Sequence, residues 1–481
     1  MYNIILIITD TYRYDNLGDK DKVMPVRTPE LDSFAAKQAT SVEGFYTGSF
    51  PTIPHRTDIA TGRLGWPFYS WQPIDVSGRN HIAGMLNSKG YATQLICDCP
   101  HLFNARFQFA FNASVQNRGQ EGDKALLHLN DPIENVMPFE KTRLSPMFMG
   151  HPLVDLHRWH NRYAQSEFDS FPAKTGTMSI RWLEENHKYN PFFLWVDFFD
   201  PHEPWDPPEY MVEKYTPDYD GIPMLHPNYG RSDAYTEAEL RNLRAHYSAE
   251  AELVDRWIGM ILRKIDDLAL WENTVVVITS DHGMSLGEHA RTGKSNISND
   301  DDRYWPLYPE IGHVPFLVAS PEILKGKELD ILAQPMDFLP TVLDLAGVEL
   351  VPPEPFHGKS FAEALRSCHG HHRDFIVSGC YVRSSQEGSV PNKASTPFLI
   401  TNKWGYAPVG ANGKPELYDL TIDPLAENDI SKNNESVVRE MHDLLISYLK
   451  EHNAPEDALK CWGRNPCLNT DGSWAVDYKQ V

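Results

Sequence analysis

Acidic and imidazole side chains follow two apolar runs of this 481-residue chain, at points where strands would end. Asp10 follows the run Asn3–Thr9, and Asp281 and His282 follow a second run that ends at Thr279. Hard divalent cations prefer carboxylate oxygens with an occasional imidazole, so these residues predict a site for one such ion: calcium, manganese, magnesium or zinc. Three ligands leave positions open for a nucleophile and a substrate, which is typical of a catalytic site.

A second pattern, the segment Thr52–Arg63, predicts a short helix with chemistry at its start. Pro54 suits the first helical turn and Gly62 suits a C-terminal cap, which places Thr52 at or just before the helix N-terminus. Backbone N–H groups at such a terminus stabilise anions. Taken alone, the segment is more typical of a well-capped short helix than of a catalytic element.

The same segment resembles the signature of the sulfatase family within the alkaline phosphatase superfamily. That signature is C-x-P-S-R followed by T-G-R, with Cys or Ser at the nucleophile position. Here Thr52 occupies that position, Pro54 and Arg56 match two and four residues on, and Thr61–Arg63 falls in register.

Further matches to the family occur in order along nearly the whole chain. They are Asp10–Arg13, Gly90–Thr93, Asp200–His202, Ser280–Gly283, Gly287–His289, Gly293–Lys294, Asp337–Thr341 and Glu416–Leu420. The resemblance implies an α/β fold of the alkaline phosphatase type, with a mostly parallel central sheet flanked by helices. We expect a catalytic domain at residues 1–377 and a smaller C-terminal α+β domain at residues 378–481.

The resemblance also implies a role for each matching residue. Asp10, Thr52, Asp281 and His282 would hold the metal, Thr52 would be the nucleophile, Arg56 would steady it, and His202 and Lys294 would contact the ester oxygens. The Asp–His pair at 281–282, in place of Asp–Asn, resembles the choline sulfatase and phosphonate monoester hydrolase branches. For protonation of the leaving group, His202 is the first candidate and His289 the second.

The segment Cys97–His101 departs from the family pattern. Asp98 stands where many sulfatases have a lysine, and His101 replaces the usual histidine after a shift of one residue. We therefore expect His101 and His289 to bind substrate, and Asp98 to place an acid against the pocket. Such an acid would favour a cationic or hydroxyl-rich leaving group.

Threonine at the nucleophile position is the second departure, because it cannot be oxidised to the formylglycine of common sulfatases. Thr52 would act as an alkoxide, and water would then cleave its covalent ester. Cleavage of a small anionic sulfate ester is the first hypothesis for function, and cleavage of a phosphodiester or phosphonate monoester is the second. A catalytically silent binding protein is the third, and the intact set of matching residues argues against it.

Short apolar runs alternate with amphipathic segments along most of the chain and must position these residues. The predicted strands are Asn3–Thr9, Ala92–Cys97, Phe192–Phe199, Thr274–Thr279 and Val314–Ala319. The predicted helices are Pro29–Ala39, His81–Ser88, Thr175–His187, Glu237–Asp267 and Pro335–Ala346. Such alternation favours a parallel sheet covered on both faces. Toward the C-terminus, an antiparallel ribbon at Phe398–Leu417 and a helix at Ser436–Glu451 are expected.

Composition limits the partners and the compartment. The chain has 66 acids against 44 bases and a net charge of -22, which argues against nucleic acid as a partner. No apolar run approaches the roughly 20 residues of a membrane span, so no membrane partner is expected. The first apolar run lacks a basic leader, and the six cysteines lack a metal-binding spacing, so we expect free thiols and a cytoplasmic location. The oligomeric state, homo-oligomers included, is left open.

Overall fold

An eight-stranded sheet forms the centre of the computed structural model, which describes residues 1–18, 25–75, 80–123, 133–144, 151–297, 301–380, 391 and 393–478. The described strands are β1 (Asn3–Thr9), β2 (Thr40–Phe45), β3 (Ala92–Cys97), β4 (Ala113–Gln116), β5 (Phe192–Phe198), β6 (Gly230–Arg231), β7 (Thr274–Ser280), β8 (Ser285–Leu286), β9 (Arg291–Gly293), β10 (Phe316–Ala319), β11 (Lys327–Ala333), β12 (Phe375–Ser378), β13 (Phe398–Thr401), β14 (Trp404–Ala407) and β15 (Glu416–Asp419). The large sheet has the order β11-β2-β10-β7-β1-β5-β3-β4. Within it β10 runs antiparallel to its neighbours, and the other paired strands are parallel.

Helices cover both faces of this sheet. The described α-helices are α1 (Pro29–Lys37), α2 (Thr52–Thr61), α3 (Ile82–Asn87), α4 (Pro100–Asn104), α5 (Leu153–His160), α6 (Phe171–Asn186), α7 (Glu209–Val212), α8 (Glu237–Asp267), α9 (Pro309–Gly312), α10 (Phe338–Leu345), α11 (Ala362–Ser367), α12 (Glu435–Glu451) and α13 (Glu456–Trp462). Two hydrophobic clusters result, because alternate side chains of β1 point to opposite faces: Ile4 enters one cluster and Ile5 the other. A capping box between Thr236 and Glu239 begins the long helix α8.

The register of the central strands brings the sequence-predicted carboxylates to one edge. Thr9, the last residue of β1, lies opposite Phe198 of β5 and Ser280 of β7. The next residues continue this alignment, since the Asp10 N–H donates to the Phe198 carbonyl at 3.0 Å and the Asp281 N–H donates to the Thr9 carbonyl at 3.3 Å. Asp10 and Asp281 therefore leave neighbouring parallel strands side by side.

A four-stranded antiparallel sheet, β12-β13-β14-β15, packs with α12 toward the C-terminus. The predicted fold is thus confirmed: a large, mostly parallel sheet with a smaller antiparallel sheet behind it. The small sheet begins at Phe375, just before the expected boundary at 377, and the division into two domains stays a prediction. All six cysteines are free thiols, as expected. Among the described residues, no helix combines the length and apolarity that crossing a membrane requires.

Candidate active site

Helix α2 is buried on all sides and directs Arg56 to the edge of the sheet where Asp10 and Asp281 lie. All ten of its residues are buried. Gly62 ends the helix at φ 66° and donates to the Asp58 carbonyl at 2.9 Å, so the predicted glycine cap is confirmed. Thr52 is the first residue of the helix, and Arg56 follows one turn later on the same face.

Arg56 connects this helix to three carboxylates. Its Nη1 donates to Asp281 Oδ2 at 2.6 Å and to Asp10 Oδ2 at 3.1 Å, and it also donates to the Thr52 carbonyl at 3.2 Å. Its Nε and Nη2 donate to Asp197, the nearest contacts being 2.9 and 2.8 Å. Burial disfavours the guanidinium charge, but Asp197 and Asp281 outweigh this effect and raise the pKa of Arg56 well above its ordinary value.

Asp197 is a residue of the candidate site that the sequence interpretation missed. It lies near the end of the buried strand β5, where it also accepts from the indole of Trp195 at 3.0 Å. Burial is the main reason that the pKa of Asp197 is raised, and the neighbouring Arg56 opposes that effect. A carboxylate inside an otherwise apolar strand requires a buried cation, and this is the signal that could have revealed it.

Asp10, Asp281 and His282 form a group that fits a metal ion. One ligand atom from each lies within 4.8 Å of the others, and all three residues are buried. His282 Nδ1 donates to the Gly283 carbonyl at 3.0 Å, so Nε2 carries the lone pair. That Nε2 faces Asp10 and Asp281 oxygens at 3.8 and 3.6 Å and has no hydrogen-bond partner in the described part of the chain. A buried lone pair directed at two carboxylates repels them unless a cation lies between, so the residues fit the expected ion.

Thr11 holds these carboxylates in place. Its hydroxyl donates to Asp10 Oδ1 at 2.9 Å, and its backbone N–H donates to Asp281 Oδ1 at 3.0 Å. The residue has φ 65°, a conformation that β-branched residues rarely adopt and that costs free energy. Burial, together with the like charge of Asp281, raises the pKa of Asp10.

The Thr52 hydroxyl is not engaged by any other described residue. The two later threonines of α2 differ, since Thr57 donates to the Ile53 carbonyl at 2.8 Å and Thr61 to the Thr57 carbonyl at 2.7 Å. A threonine at the helix N-terminus has no carbonyl four residues earlier in the same helix. The start of α2 therefore leaves the Thr52 hydroxyl available.

Lys294 and His202 form a buried hydrogen-bonded pair. His202 Nδ1 donates to the Glu203 carbonyl at 2.7 Å, and Nε2 therefore accepts from Lys294 Nζ at 2.6 Å. Burial and the lysine charge lower the pKa of His202 well below its ordinary value. Lys294 Nζ is also 3.9 Å from Asp10 Oδ1, which brings the pair to the carboxylate cluster. Lys294 is therefore the donor in this hydrogen bond and His202 the acceptor.

His101 lies beside the Lys294–His202 pair. Asp98, which was expected to face the substrate pocket, instead bonds other parts of the protein. The His101 ring packs edge-on against Phe199, and the Phe199 ring also stacks on His202 with 4.1 Å between the ring centres. Burial lowers the pKa of His101 to about 4, with opposing influences from Asp10 and Lys294. Asp98 accepts from the Thr175 hydroxyl at 2.7 Å and from the Phe199 N–H, so it is a structural support for Phe199.

His289 has protein partners at both ring nitrogens, and its expected role as a substrate ligand or acid stays a prediction. Its Nδ1 donates to Glu310 Oε1 at 2.9 Å, and its Nε2 donates to the Ala426 carbonyl at 2.9 Å. The ring also stacks on Tyr308 at 3.7 Å. Both ring nitrogens are used, so His289 links the residues after β8 to those after β15.

With this geometry in place, the chain can be compared with known proteins. A family model described as Sulfatase matches residues 2–348. The chain belongs to the sulfatase family. It is a sulfatase-family hydrolase, as the resemblance of the Thr52–Arg63 segment predicted.

Curated relatives of this sulfatase are similar over most of their length. An arylsulfatase of Clostridium perfringens is 24% identical, with 93% of each chain covered. Human arylsulfatase K is 25% identical over 88% of this chain and 77% of its own. Among solved structures, the phosphonate monoester hydrolase of Agrobacterium radiobacter superimposes with a TM-score of 0.71 at 20% identity, covering 94% of this chain and 96% of its own. That likeness shows the shared fold.

The His289–Glu310 contact predicts a pH dependence of stability. Burial disfavours the imidazolium charge, but Glu310 outweighs it and raises the pKa of His289 to about 9. Because the pKa is raised in the folded state, protonated His289 stabilises the fold. This contribution is complete below about pH 6.5, the ordinary pKa of histidine, and it disappears as the pH rises through about 9. Urea denaturation measures the free energy of unfolding at each pH. Between pH 6.5 and 9.5, this free energy should fall by about 3 kcal/mol more in the parent protein than in His289→Gln. Equal losses in both proteins would contradict this assignment.

Removal of the Asp197 charge tests the role of Arg56. Asp197→Asn leaves the buried guanidinium with one carboxylate fewer, and breaking a buried pair costs about 3 kcal/mol or more. We expect that loss of unfolding free energy together with reduced turnover. Asp233→Asn, which removes an exposed partner of Arg231, is the matched control and should change neither quantity appreciably.

Proposed function

We propose that this sulfatase hydrolyses a small anionic sulfate ester through a covalent intermediate on Thr52. The observation that carries the proposal is the position of Thr52, whose hydroxyl is unengaged at the start of the helix that directs Arg56 to Asp10 and Asp281. Its family membership and its arylsulfatase relatives support the sulfate ester.

Asp10, Asp281 and His282, with the Thr52 hydroxyl, would hold one divalent ion. When bound, such an ion withdraws electron density from its oxygen ligands and lowers the pKa of a coordinated hydroxyl. Arg56 holds the two carboxylates in place with a permanent positive charge. With an ion bound there, the site would favour the deprotonated form of Thr52, which a free threonine hydroxyl does not adopt near neutral pH.

In the first step, Thr52 Oγ forms a bond to sulfur as the bond from sulfur to the leaving alcohol oxygen breaks. The ammonium of Lys294 gives a proton to that departing oxygen, and His202 orients the ammonium through its Nε2 lone pair. In the second step, water attacks the sulfur and the bond from sulfur to Thr52 Oγ breaks, which releases sulfate. One proton of the water goes to Thr52 Oγ and the other returns to the amine of Lys294. His101, beside Phe199, is proposed to contact the substrate body.

Hydrolysis of a phosphodiester or phosphonate monoester is the second candidate. The observation in its favour is Thr52 itself, because a threonine alkoxide forms a phosphorus ester by the same displacement and requires no oxidised side chain. The two candidate functions are distinguished by measuring kcat/KM for an aryl sulfate and for the matching aryl phosphonate on one preparation of the protein. The cytoplasmic location and the absence of a nucleic-acid partner stay predictions from the sequence, which leaves the oligomeric state open.

Replacement of the proposed nucleophile should abolish turnover while sparing the fold. Thr52→Ala removes the attacking oxygen, and we expect kcat to fall by about three to six orders of magnitude. Thr57→Ala, on the same helix, removes a hydroxyl that bonds the backbone and should leave kcat within about tenfold. Rapid-quench mass spectrometry should detect an adduct on Thr52 in the parent protein. Near-normal turnover of Thr52→Ala would reject the proposal.

The ligand assignment is tested by metal content. Asp281→Asn replaces a charged ligand by a neutral one, so we expect inductively coupled plasma mass spectrometry to find far less bound metal than in the parent protein. Asp98→Asn is a matched control, since it changes another buried aspartate that bonds Thr175 and Phe199. Turnover that is insensitive to chelators, with no metal in the parent protein, would contradict the assignment.

A further inference from the structure

The segment that carries Lys294 begins with a strained turn. Residues 287–290 connect the hairpin strands β8 and β9, and Lys294 follows β9 directly. Within this turn, His289 and Ala290 have φ angles of 51° and 54°. Both values lie in the left-handed region, which residues with a Cβ atom adopt only at a cost in free energy. Two such residues in succession persist only where their surroundings hold them in place.

Arg303 bonds this turn at both strained residues. Its Nη1 donates to the His289 carbonyl at 3.0 Å, and its Nη2 donates to the Ala290 carbonyl at 3.0 Å. The same guanidinium donates to Asp301, from Nε at 2.9 Å and from Nη2 at 2.6 Å. Because a guanidinium is a planar and rigid fork of N–H donors, its pairing with Asp301 fixes the direction of the donors that reach the turn.

Asp301 also contacts the chain on the other side of Lys294. Asn296 follows Lys294 by two residues, and its Nδ2 donates to the Asp301 carbonyl at 2.6 Å. The Asp301 N–H donates back to Asn296 Oδ1 at 3.3 Å. The N–H of Asn296 donates in addition to the Ala394 carbonyl at 3.1 Å. The pair Asp301–Arg303 therefore contacts both ends of the segment that carries Lys294.

The position of the Lys294 ammonium depends on where the backbone of this segment lies. Nζ donates to His202 Nε2 at 2.6 Å and lies 3.9 Å from Asp10 Oδ1, and the residue is only 4% exposed. A lysine side chain is a flexible chain that ends in a compact charge, so it does not fix its own position. Since a displacement of about 1 Å at a reacting group can lower a rate about a hundredfold, the backbone of the segment has to be held.

We propose that Arg303, oriented by Asp301, is a positioning residue for Lys294. It holds the strained turn in the conformation that places the Lys294 ammonium against His202 and beside the carboxylate cluster. The catalytic consequence rests on the proposed function, in which Lys294 gives a proton to the departing oxygen. Among the residues that the structure describes, Arg303 bonds only Asp301 and the two carbonyls of the turn, so it acts through Lys294.

Acetylation of Lys294 by acetic anhydride, followed by peptide mass spectrometry, measures this positioning without a substrate. Arg303→Lys keeps a positive charge beside Asp301, but an ammonium lacks the fork that bonds both carbonyls. We expect Lys294 to be acetylated at least about tenfold faster in this variant, because one hydrogen bond from a charged donor contributes about that factor. Arg231→Lys is the matched control, since Arg231 also pairs with an aspartate two residues away but does not bond the turn.

The catalytic consequence is measured as the ratio of kcat/KM for 4-nitrophenyl sulfate to kcat/KM for phenyl sulfate. The nitro group stabilises the departing phenolate, so 4-nitrophenyl sulfate needs a proton donor less than phenyl sulfate does. General acid catalysis contributes about 10² to 10⁴ in rate, so Arg303→Lys should raise the ratio at least about tenfold, as should Lys294→Met. Arg231→Lys should leave it unchanged. A loss of folded protein lowers both values equally and does not alter the ratio.

The two measurements separate failure of this proposal from failure of the proposed function. Acetylation of Lys294 at the parent rate in Arg303→Lys would overturn the positioning role. An unchanged ratio in Arg303→Lys would also overturn it if Lys294→Met raises the ratio. An unchanged ratio in Lys294→Met would instead reject proton donation by Lys294, and the acetylation rate would then decide the positioning role by itself.

Discussion

The buried positive charge of Arg56 is the constraint on which the rest of the site depends. Asp10, Asp197 and Asp281 all bond it, and none of the four side chains is exposed to solvent. A guanidinium removed from water is tolerable only with such partners, and three carboxylates exceed its single charge. The surplus negative charge at Asp10 and Asp281 is where a divalent ion would be held, beside the unpartnered nitrogen of His282.

The fold satisfies this constraint by bringing several chain segments to one edge of a sheet. β1, β5 and β7 run parallel and end level with one another, so residues far apart in sequence emerge together. Helix α2 then approaches from outside the sheet with its whole surface buried. A helix packed on every side cannot shift without disturbing several contacts, and this fixes Thr52 relative to the carboxylates.

A threonine in place of the oxidisable cysteine makes different demands on its surroundings. A hydroxyl has to lose its proton before it can attack, and a leaving alcohol has to gain one. Lys294 donates to His202 Nε2 in a buried position near Asp10, which is why we propose Lys294 for the second need. Phe199 stacks on His202, and its backbone N–H donates to Asp98. Asp98, which the sequence placed in the pocket, therefore supports a residue that contacts His202.

The sequence by itself determined the elements whose signals are local. Strands β1 and β3 and helix α8 have the predicted bounds, because an apolar run or a capping box is complete within a few residues. Asp10, Asp281 and His282 could also be predicted, since each follows such a run. Tertiary structure alone decided the pairing of Asp197 with Arg56 and of His289 with Glu310. Those pairs join residues that are 141 and 21 positions apart, and nothing local to any of the four residues specifies its partner.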